Sequence, residues 1–220
     1  MSRGGWNGND TSILILTHID KASNSVKLPH IDWIEKTNPG TNVNVIVGED
    51  SELGVVDNWR NGDRPLRKWW IENSHTIKTP IVHVIEWDTL VGGPLPELPA
   101  HLDLAGRELM LPGMPWQWWA DVPSLNLNED ESPVGLVSFG AFVMRREVLD
   151  AVCDPRWDEA YENSIQNELR FPTIASVSGF TVGEVHLPFV RYHYYPIAEN
   201  PLAGIYHGVK TPYTGTFIHN

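Results

Sequence analysis

The sequence contains few of the features that mark secreted or membrane-bound proteins. Cys153 is the only cysteine, which excludes an internal disulfide and is typical of a reducing compartment such as the cytoplasm. No apolar run approaches the roughly 18 residues that span a bilayer. The first ten residues are polar and glycine-rich, unlike a signal peptide. We therefore expect a cytoplasmic protein without a transmembrane segment.

Positively charged side chains are also scarce. The 16 Lys and Arg residues against 28 Asp and Glu residues give a net charge of −12. The phosphate backbone of nucleic acids favours clustered Lys and Arg, so this balance argues against a nucleic-acid partner. An acidic protein that binds a diphosphate needs a metal ion or a few local cations to overcome the repulsion.

The length and composition are those of a globular protein. With 220 residues, 41% of them hydrophobic and 20% charged, the chain has enough apolar side chains for a sizeable core. We predict a polar segment at residues 1–11 and a single domain at residues 12–220. The domain divides into a nucleotide-binding half, residues 12–93, and an acceptor-binding half with a metal-binding tail, residues 94–220.

The most informative stretch is residues 81–88, an apolar, β-branched run that ends in Glu86-Trp87-Asp88. The run predicts a buried strand, and α/β sheets bind ligands at the carboxyl ends of their strands. The alternation of a strand directs Glu86 and Asp88 to the same side. Two carboxylates so placed suit Mg²⁺ or Mn²⁺. The alternative is an acidic strand end that is only exposed to solvent.

The first half of the chain alternates strands and helices. We predict strands at residues 12–17, 42–48 and 81–88, a helix at 28–37, and a second helix at 64–77 capped by Asp63. This β-α-β-α-β order implies an α/β fold with a parallel sheet and right-handed crossovers. The strand ends at His18, Asp50 and Asp88 then line one edge of the sheet.

The second half is less regular. A long connection from residue 94 to 123 contains many prolines, which disfavour regular helices and strands. A loop of this length in a compact domain is usually functional. We predict strands at residues 135–144 and 182–192 and helices at 145–152 and 167–179. An irregular tail, residues 206–213, follows. It has few apolar residues, and we expect a ligand to order it.

The order of elements resembles that of the GT-A nucleotide-sugar glycosyltransferases. Glu86-Trp87-Asp88 occupies the place of their metal-binding D-x-D motif, and residues 135–146 are similar to their glycine-containing segment before an acceptor-side helix. His207-Gly208, Lys210 and Pro212 look like a shortened form of the late His and Gly/Lys/Pro cluster of glycogenin-like members. The resemblance spans residues 12 to about 213. It departs from the family in the Glu at position 86 and in the compressed tail.

The resemblance implies a Rossmann-like, mostly parallel sheet flanked by helices and a set of site residues. Asp88, Glu86 and His207 are the implied ligands of Mn²⁺ or Mg²⁺. The implied donor contacts are Lys210 and Gly208 to the diphosphate, and Thr17 and Asp50 near the base and ribose. Asp50 has an equally good interpretation as a turn residue.

On the acceptor side, the resemblance implies that Glu168, at the start of a helix, is a general base for a hydroxyl acceptor, which we expect to be a carbohydrate. A Glu in a first helical turn also simply favours the helix dipole. Trp116, Trp118 and Trp119 carry two interpretations, stacking on sugar rings and anchoring of the loop.

Three functions therefore remain open. The first is a metal-dependent transfer of a sugar from a nucleoside-diphosphate sugar to a hydroxyl acceptor. The second is a metal-dependent hydrolase with ligands such as His18, Asp20 and Asp88, although no tight ligand spacing supports it. The third is a catalytically silent carbohydrate-binding domain of the same fold.

Overall fold

A computed structural model describes residues 10–20, 25–26, 28–48, 60–137, 139–185, 190–192, 204–209 and 215. Three parallel strands form the centre of the main sheet, with β1 between its neighbours. They are β1 (Thr11–Asp20), β3 (Asn42–Gly48) and β4 (Ile81–Glu86). The three strands predicted in the first half are thus confirmed, and Asp88 lies in the turn after β4.

Strands from the second half extend this sheet. They are β6 (Leu104–Gly106), β9 (Ala141–Arg145) and β10 (Val182–Glu184). The strand order is β3-β1-β4-β9-β6-β10. Only β9, among these six strands, is antiparallel to its neighbours. A two-residue strand, β2 (Ser25–Val26), pairs with the end of β1. The predicted α/β class with a mostly parallel sheet is confirmed.

Helices cover both faces of the sheet. The five described α-helices are α1 (Ile31–Thr37), α2 (Asp63–Asn73), α3 (Arg146–Val152), α4 (Asp158–Glu162) and α5 (Asn167–Val177). Leu14 and Leu16 of β1 pack into the larger core cluster, which includes residues of α2, α3 and α5. Ile13 and Ile15 face the opposite cluster, which includes Ile34 of α1. Alternation along a buried strand explains this division.

Two helix starts differ from the predictions. Helix α1 begins at Ile31 rather than at residue 28, because Pro29 disfavours a helical conformation for Leu28. Asp63 is the first residue of α2, and Gly62 rather than Asp63 occupies the N-cap position. Its carboxylate instead pairs with Arg170 of α5. No helix among the described residues is long and apolar enough to cross a membrane.

The strands of the second half were predicted less well. Residues 135–144 form two strands, since β8 (Gly135–Val137) pairs with β7 (Glu108–Met110) while β9 joins the main sheet. Residues 182–192 also divide, because β11 (Val190–Tyr192) belongs to a second sheet. That sheet contains β5 (Leu90–Val91) and β12 (Ile205–His207). The predicted irregular tail begins in a strand, because Tyr206 and His207 belong to β12, in which Ile205 and Tyr206 are buried. Ordering of the tail by a ligand stays a prediction.

Candidate functional site

The two carboxylates lie where β4 ends. A tight turn follows the strand, in which Trp87 N donates to Leu16 O at 2.8 Å and Thr89 N donates to Glu86 O at 2.9 Å. The first bond ties the turn to β1. The sequence therefore places Glu86 and Asp88 at the carboxyl edge of the sheet, with Asp88 largely buried.

His207 reaches the same edge from the far end of the chain. It is the last residue of β12, which pairs antiparallel with β5, two residues beyond Asp88. Gly208 follows with φ +83°, a left-handed conformation that favours glycine. The next residue, Val209, donates its N–H to Asp88 O at 2.7 Å. Strand pairing and this hydrogen bond bring His207 next to the turn.

The three side chains form a compact cluster. His207 Nε2 lies 2.6 Å from Glu86 Oε2 and 3.4 Å from Asp88 Oδ1. Burial alone would lower the pKa of His207, but its hydrogen bonds to Asp88 and Glu86 and their charges outweigh this effect and raise the pKa to about 10. The imidazole is therefore cationic at neutral pH and neutralises one of the two carboxylates.

The cluster fits a divalent cation. One ligand atom from each of Glu86, Asp88 and His207 lies within 4.8 Å of the other two. Two carboxylate oxygens and an imidazole nitrogen form a donor set that suits Mn²⁺ and, with water or phosphate oxygens added, Mg²⁺. Metal binding requires a neutral imidazole, so the proton of His207 must leave when a cation enters.

Two glycines allow the surrounding loops to approach the cluster. A Cβ at Gly140 would lie 2.8 Å from Glu86 Oε2 and 3.1 Å from His207 Nε2. A Cβ at Gly62 would lie 3.1 Å from Asn167 Nδ2 and 3.6 Å from Glu86 Oε1. The backbone of the turn before β9 and of the loop before α2 therefore packs close to the Glu86 carboxylate.

Glu168 lies in the first turn of α5, beside this cluster. Phe139 N donates to its Oε1 at 3.2 Å. Burial is the main cause that raises the pKa of Glu168 to about 7, and the negative charge of Glu86 raises it further. The Phe139 hydrogen bond, the charge of His207 and a Gln166 hydrogen bond oppose this shift. A carboxyl with this pKa can accept or release a proton near neutral pH.

The remaining predicted donor contacts have different outcomes. Thr17 is buried on β1, and its Oγ1 lies 3.4 Å from His18 O. Gly208 lies directly after His207, as described above. Asp50 and Lys210 fall outside the described residues. Their roles stay predictions.

The three tryptophans belong to a 3₁₀-helical segment, Gln117–Leu125, and the residue before it. Trp116 and Trp119 contact each other edge to face at 5.0 Å and pack on Leu125, Ile165 and Leu169. These contacts anchor the segment against α5. Trp118 instead lies against the Arg60 guanidinium, 5.4 Å from the ring centroid. Contact with an acceptor stays a prediction for all three.

The ligand set considered for a hydrolase is only partly described. The His18 ring packs edge to face on Trp87 at 5.1 Å. The described metal-ligand group contains Asp88 but not His18. Asp20 is in β1, and its side chain lies outside the described part.

Sequence reasoning missed several residues that line or support the site. Gly62, Gly140, Gln166 and Asn167 line it, and Asp121 accepts a hydrogen bond from Gln166 N at 3.0 Å. A glycine next to a strand weakly indicates that another group packs closely against the backbone, and Gly140, just before β9, is such a glycine. The others have no local signal because their neighbours are distant in sequence.

Comparison with solved structures finds distant similarities. No family model and no curated protein matches this chain. The inositol-1-phosphate CTP transferase from T. maritima is 11% identical, with a TM-score of 0.43, over 81% of this chain and 85% of that one. An active-site mutant of LgtC is 11% identical, with a TM-score of 0.44, over 89% and 86% of the chains. Mouse xyloside xylosyltransferase 1, apo form, is 13% identical, with a TM-score of 0.37, over 90% and 97%.

Two of these three structures are named as transferases. Because their TM-scores are all at or below 0.44, the similarities carry no argument about the activity of this chain. That argument rests on the chemistry of the site.

Proposed function

We propose that this protein transfers a sugar from a nucleoside-diphosphate sugar to a hydroxyl acceptor, with the help of Mn²⁺ or Mg²⁺. The observation that carries the proposal is the convergence of Glu86, Asp88 and His207 at one sheet edge, beside Glu168. The reaction needs a cation to stabilise the departing diphosphate and a base to accept the proton of the hydroxyl. The carboxylate-rich ligand set suits the first role, and the nearby carboxyl, which exchanges protons near pH 7, suits the second.

The donor side of the proposal uses the cation ligands and the tail. Glu86, Asp88 and His207 hold the cation, which when bound stabilises negative charge on the departing diphosphate. Gly208 and Lys210 contact the diphosphate, while Thr17 and Asp50 lie near the base and ribose. The net charge of −12 makes such local positive charge necessary, since the protein otherwise repels a diphosphate.

On the acceptor side, Glu168 accepts the proton of the attacking hydroxyl. Its pKa of about 7 leaves a large fraction ionised at neutral pH while keeping it basic. The amide of Phe139 holds one carboxylate oxygen, which fixes the orientation of the group. The exposed parts of the segment that holds Trp116, Trp118 and Trp119 supply contacts to a carbohydrate acceptor.

Calorimetry with a panel of nucleoside diphosphates, in Mn²⁺ and in chelator, tests the donor side. We expect binding that requires Mn²⁺ and that Asp88→Ala abolishes, because the variant removes one metal ligand and a charge. Asp130→Ala, which removes an exposed carboxylate in a turn outside the site, is the matched control and keeps binding. Equal affinity in chelator and in Mn²⁺ contradicts the metal-bridged model.

Turnover tests the acceptor side once a donor is known. Glu168→Gln keeps the shape of the side chain and its acceptor for Phe139 N, but removes the base. We expect transfer to fall by about 100-fold with donor affinity nearly unchanged. Wild-type protein that binds donor but transfers nothing to any hydroxyl acceptor favours the silent carbohydrate-binding domain.

A further inference from the structure

His30 is a buried histidine immediately before α1, with 1% of its surface exposed. It occupies the N-cap position, where a side chain commonly accepts a hydrogen bond from the first helical turn. The imidazole makes no such bond. The backbone oxygen of His30 instead accepts Trp33 N at 3.1 Å and Ile34 N at 3.2 Å, so the residue is fixed while its ring is directed elsewhere.

The ring reaches the tail of the chain. His30 Nε2 lies 2.6 Å from Val209 O. A carbonyl oxygen only accepts hydrogen bonds, so Nε2 carries the hydrogen. Burial lowers the pKa of His30, against the raising effects of the Val209 bond and the charge of Asp88. His30 is thus a neutral donor, and its buried Nδ1 has no hydrogen-bond partner in the described part of the chain.

Val209 is held through both of its backbone groups. Its carbonyl accepts the His30 hydrogen bond, and its N–H donates to Asp88 O at 2.7 Å. Trp33, three residues after His30 and on the same face of α1, packs against the buried pair Leu90 and Tyr206, and the Val209 side chain packs against the same pair. The start of α1 therefore contacts the tail by one hydrogen bond and one apolar contact.

This contact supplements a short strand pairing. The register between β12 and β5 consists of Ile205 with Val91 and Tyr206 with Leu90. His207 lies just beyond these two pairs, and on the other side of β12 it pairs with Tyr192 of the parallel strand β11. Since His207 is two residues before Val209, fixing Val209 against Asp88 restricts where the imidazole of His207 can lie.

We propose that His30 is a positioning residue for the metal site, whose Nε2–H holds Val209 so that His207 stays beside Glu86 and Asp88. The proposal rests on the proposed function, because it names the same three ligands. It assigns α1, which contributes no metal ligand, a role in assembling the site. Supporting groups of this kind typically affect metal affinity by about 10- to 100-fold.

Three variants test the hydrogen bond. His30→Met removes the donor at similar volume, and His30→Gln supplies an amide N–H at a similar distance from the backbone. His75→Met is the matched control, because His75 is exposed in the 3₁₀ turn after α2. If His30→Met does not fold, His30→Asn replaces it, since its shorter amide falls short of Val209.

The first measurement is Mn²⁺ affinity by calorimetry. We expect His30→Met to weaken Mn²⁺ binding by about 10-fold or more, and His30→Gln and His75→Met to stay within about threefold of wild type. A general packing role would make Met and Gln equally harmful. His30→Met with wild-type affinity overturns the proposal.

The second measurement needs no metal. In chelator, hydrogen exchange of the Val209 amide should be at least about 10-fold faster in His30→Met at unchanged global stability. Nitrogen NMR of wild type should show His30 in its neutral Nε2–H form. Unchanged Val209 protection or the other tautomer overturns the proposal. Wild type that binds no Mn²⁺ contradicts the proposed function, while these two readouts still decide the role of His30.

Discussion

At the scale of single residues, the site combines ionisable groups whose pKa values have moved in the same direction for different reasons. Nearby carboxylates raise the pKa of His207 to about 10 in spite of its burial. Burial itself raises the pKa of Glu168 to about 7. His207 is therefore charged and Glu168 partly protonated at neutral pH in the metal-free protein.

The raised pKa of Glu168 predicts a pH-dependent stability cost. Its ordinary value is 4.5 and its folded value about 7. The unfolded chain therefore ionises first, and the stabilising contribution of the protonated carboxyl is full below pH 4.5 and lost as pH rises to about 7. In chelator, Glu168→Gln should match wild type near pH 4 and exceed its free energy of unfolding by about 3 kcal/mol at pH 8.

Urea unfolding across this pH range measures the effect. Glu72→Gln, on the exposed face of α2, is the matched control and should follow the wild-type curve. A constant difference between Glu168→Gln and wild type at all pH values would show that the carboxyl does not titrate between 4.5 and 7.

At the scale of elements, a buried ion pair joins the two helices that border the site. Arg170 of α5 and Asp63 of α2 both have fully buried side chains and pair through both carboxylate oxygens. Arg170 Nη2 also donates to Asn61 Oδ1 at 3.3 Å. The pair thus fixes the loop of Asn61 and Gly62 relative to Glu168.

Breaking this pair should be costly. Arg170→Met leaves the Asp63 carboxylate buried without a counter-charge, and we expect it to lose about 3–5 kcal/mol of stability. The double variant Asp63→Leu/Arg170→Met should lose less, because no charge stays unpaired. Arg145→Met, which breaks a partly exposed pair with Asp103, is the control and should cost about 1 kcal/mol or less.

Denaturant unfolding of the four proteins compares these costs. A double variant at least as unstable as Arg170→Met would contradict the charge-burial explanation.

At the scale of the whole molecule, the site joins distant parts of the chain. Strand β1 and helix α1 come from its beginning, β4 from its middle and β12 from its end. The main sheet contains no residue of the described part of the tail, residues 206–209. Core formation and assembly of the metal site are therefore separable.

Two truncated chains test whether the core forms independently of the metal site. A chain that ends after Tyr206 keeps the described core, and we expect it to fold but to lose Mn²⁺ binding with His207. A chain that ends after Val209 keeps all three ligands, so it should bind Mn²⁺ yet bind nucleoside diphosphate more weakly, because Lys210 is absent. Thermal unfolding and calorimetry measure both. Equal diphosphate affinity of full-length protein and the longer truncation would remove Lys210 from the site.

The sequence by itself determined the features that depend on local patterns. Apolar periodicity identified β1, β3 and β4, and their alternation with helices indicated a mostly parallel sheet. The position of Glu86 and Asp88 after a buried run, and of Glu168 in a first helical turn, followed from the same patterns. Each of these depends on residues within about ten positions of one another, which is the range over which periodicity and propensity act.

Tertiary structure alone decided which distant segments meet. Residues 135–144 divide into two strands because β8 and β9 find partners in different sheets. Trp116 and Trp119 anchor a loop because their rings contact Leu125, Ile165 and Leu169. His30 reaches Val209 although 179 positions separate them. Such contacts depend on how complete elements pack, and no local pattern of residue types encodes them.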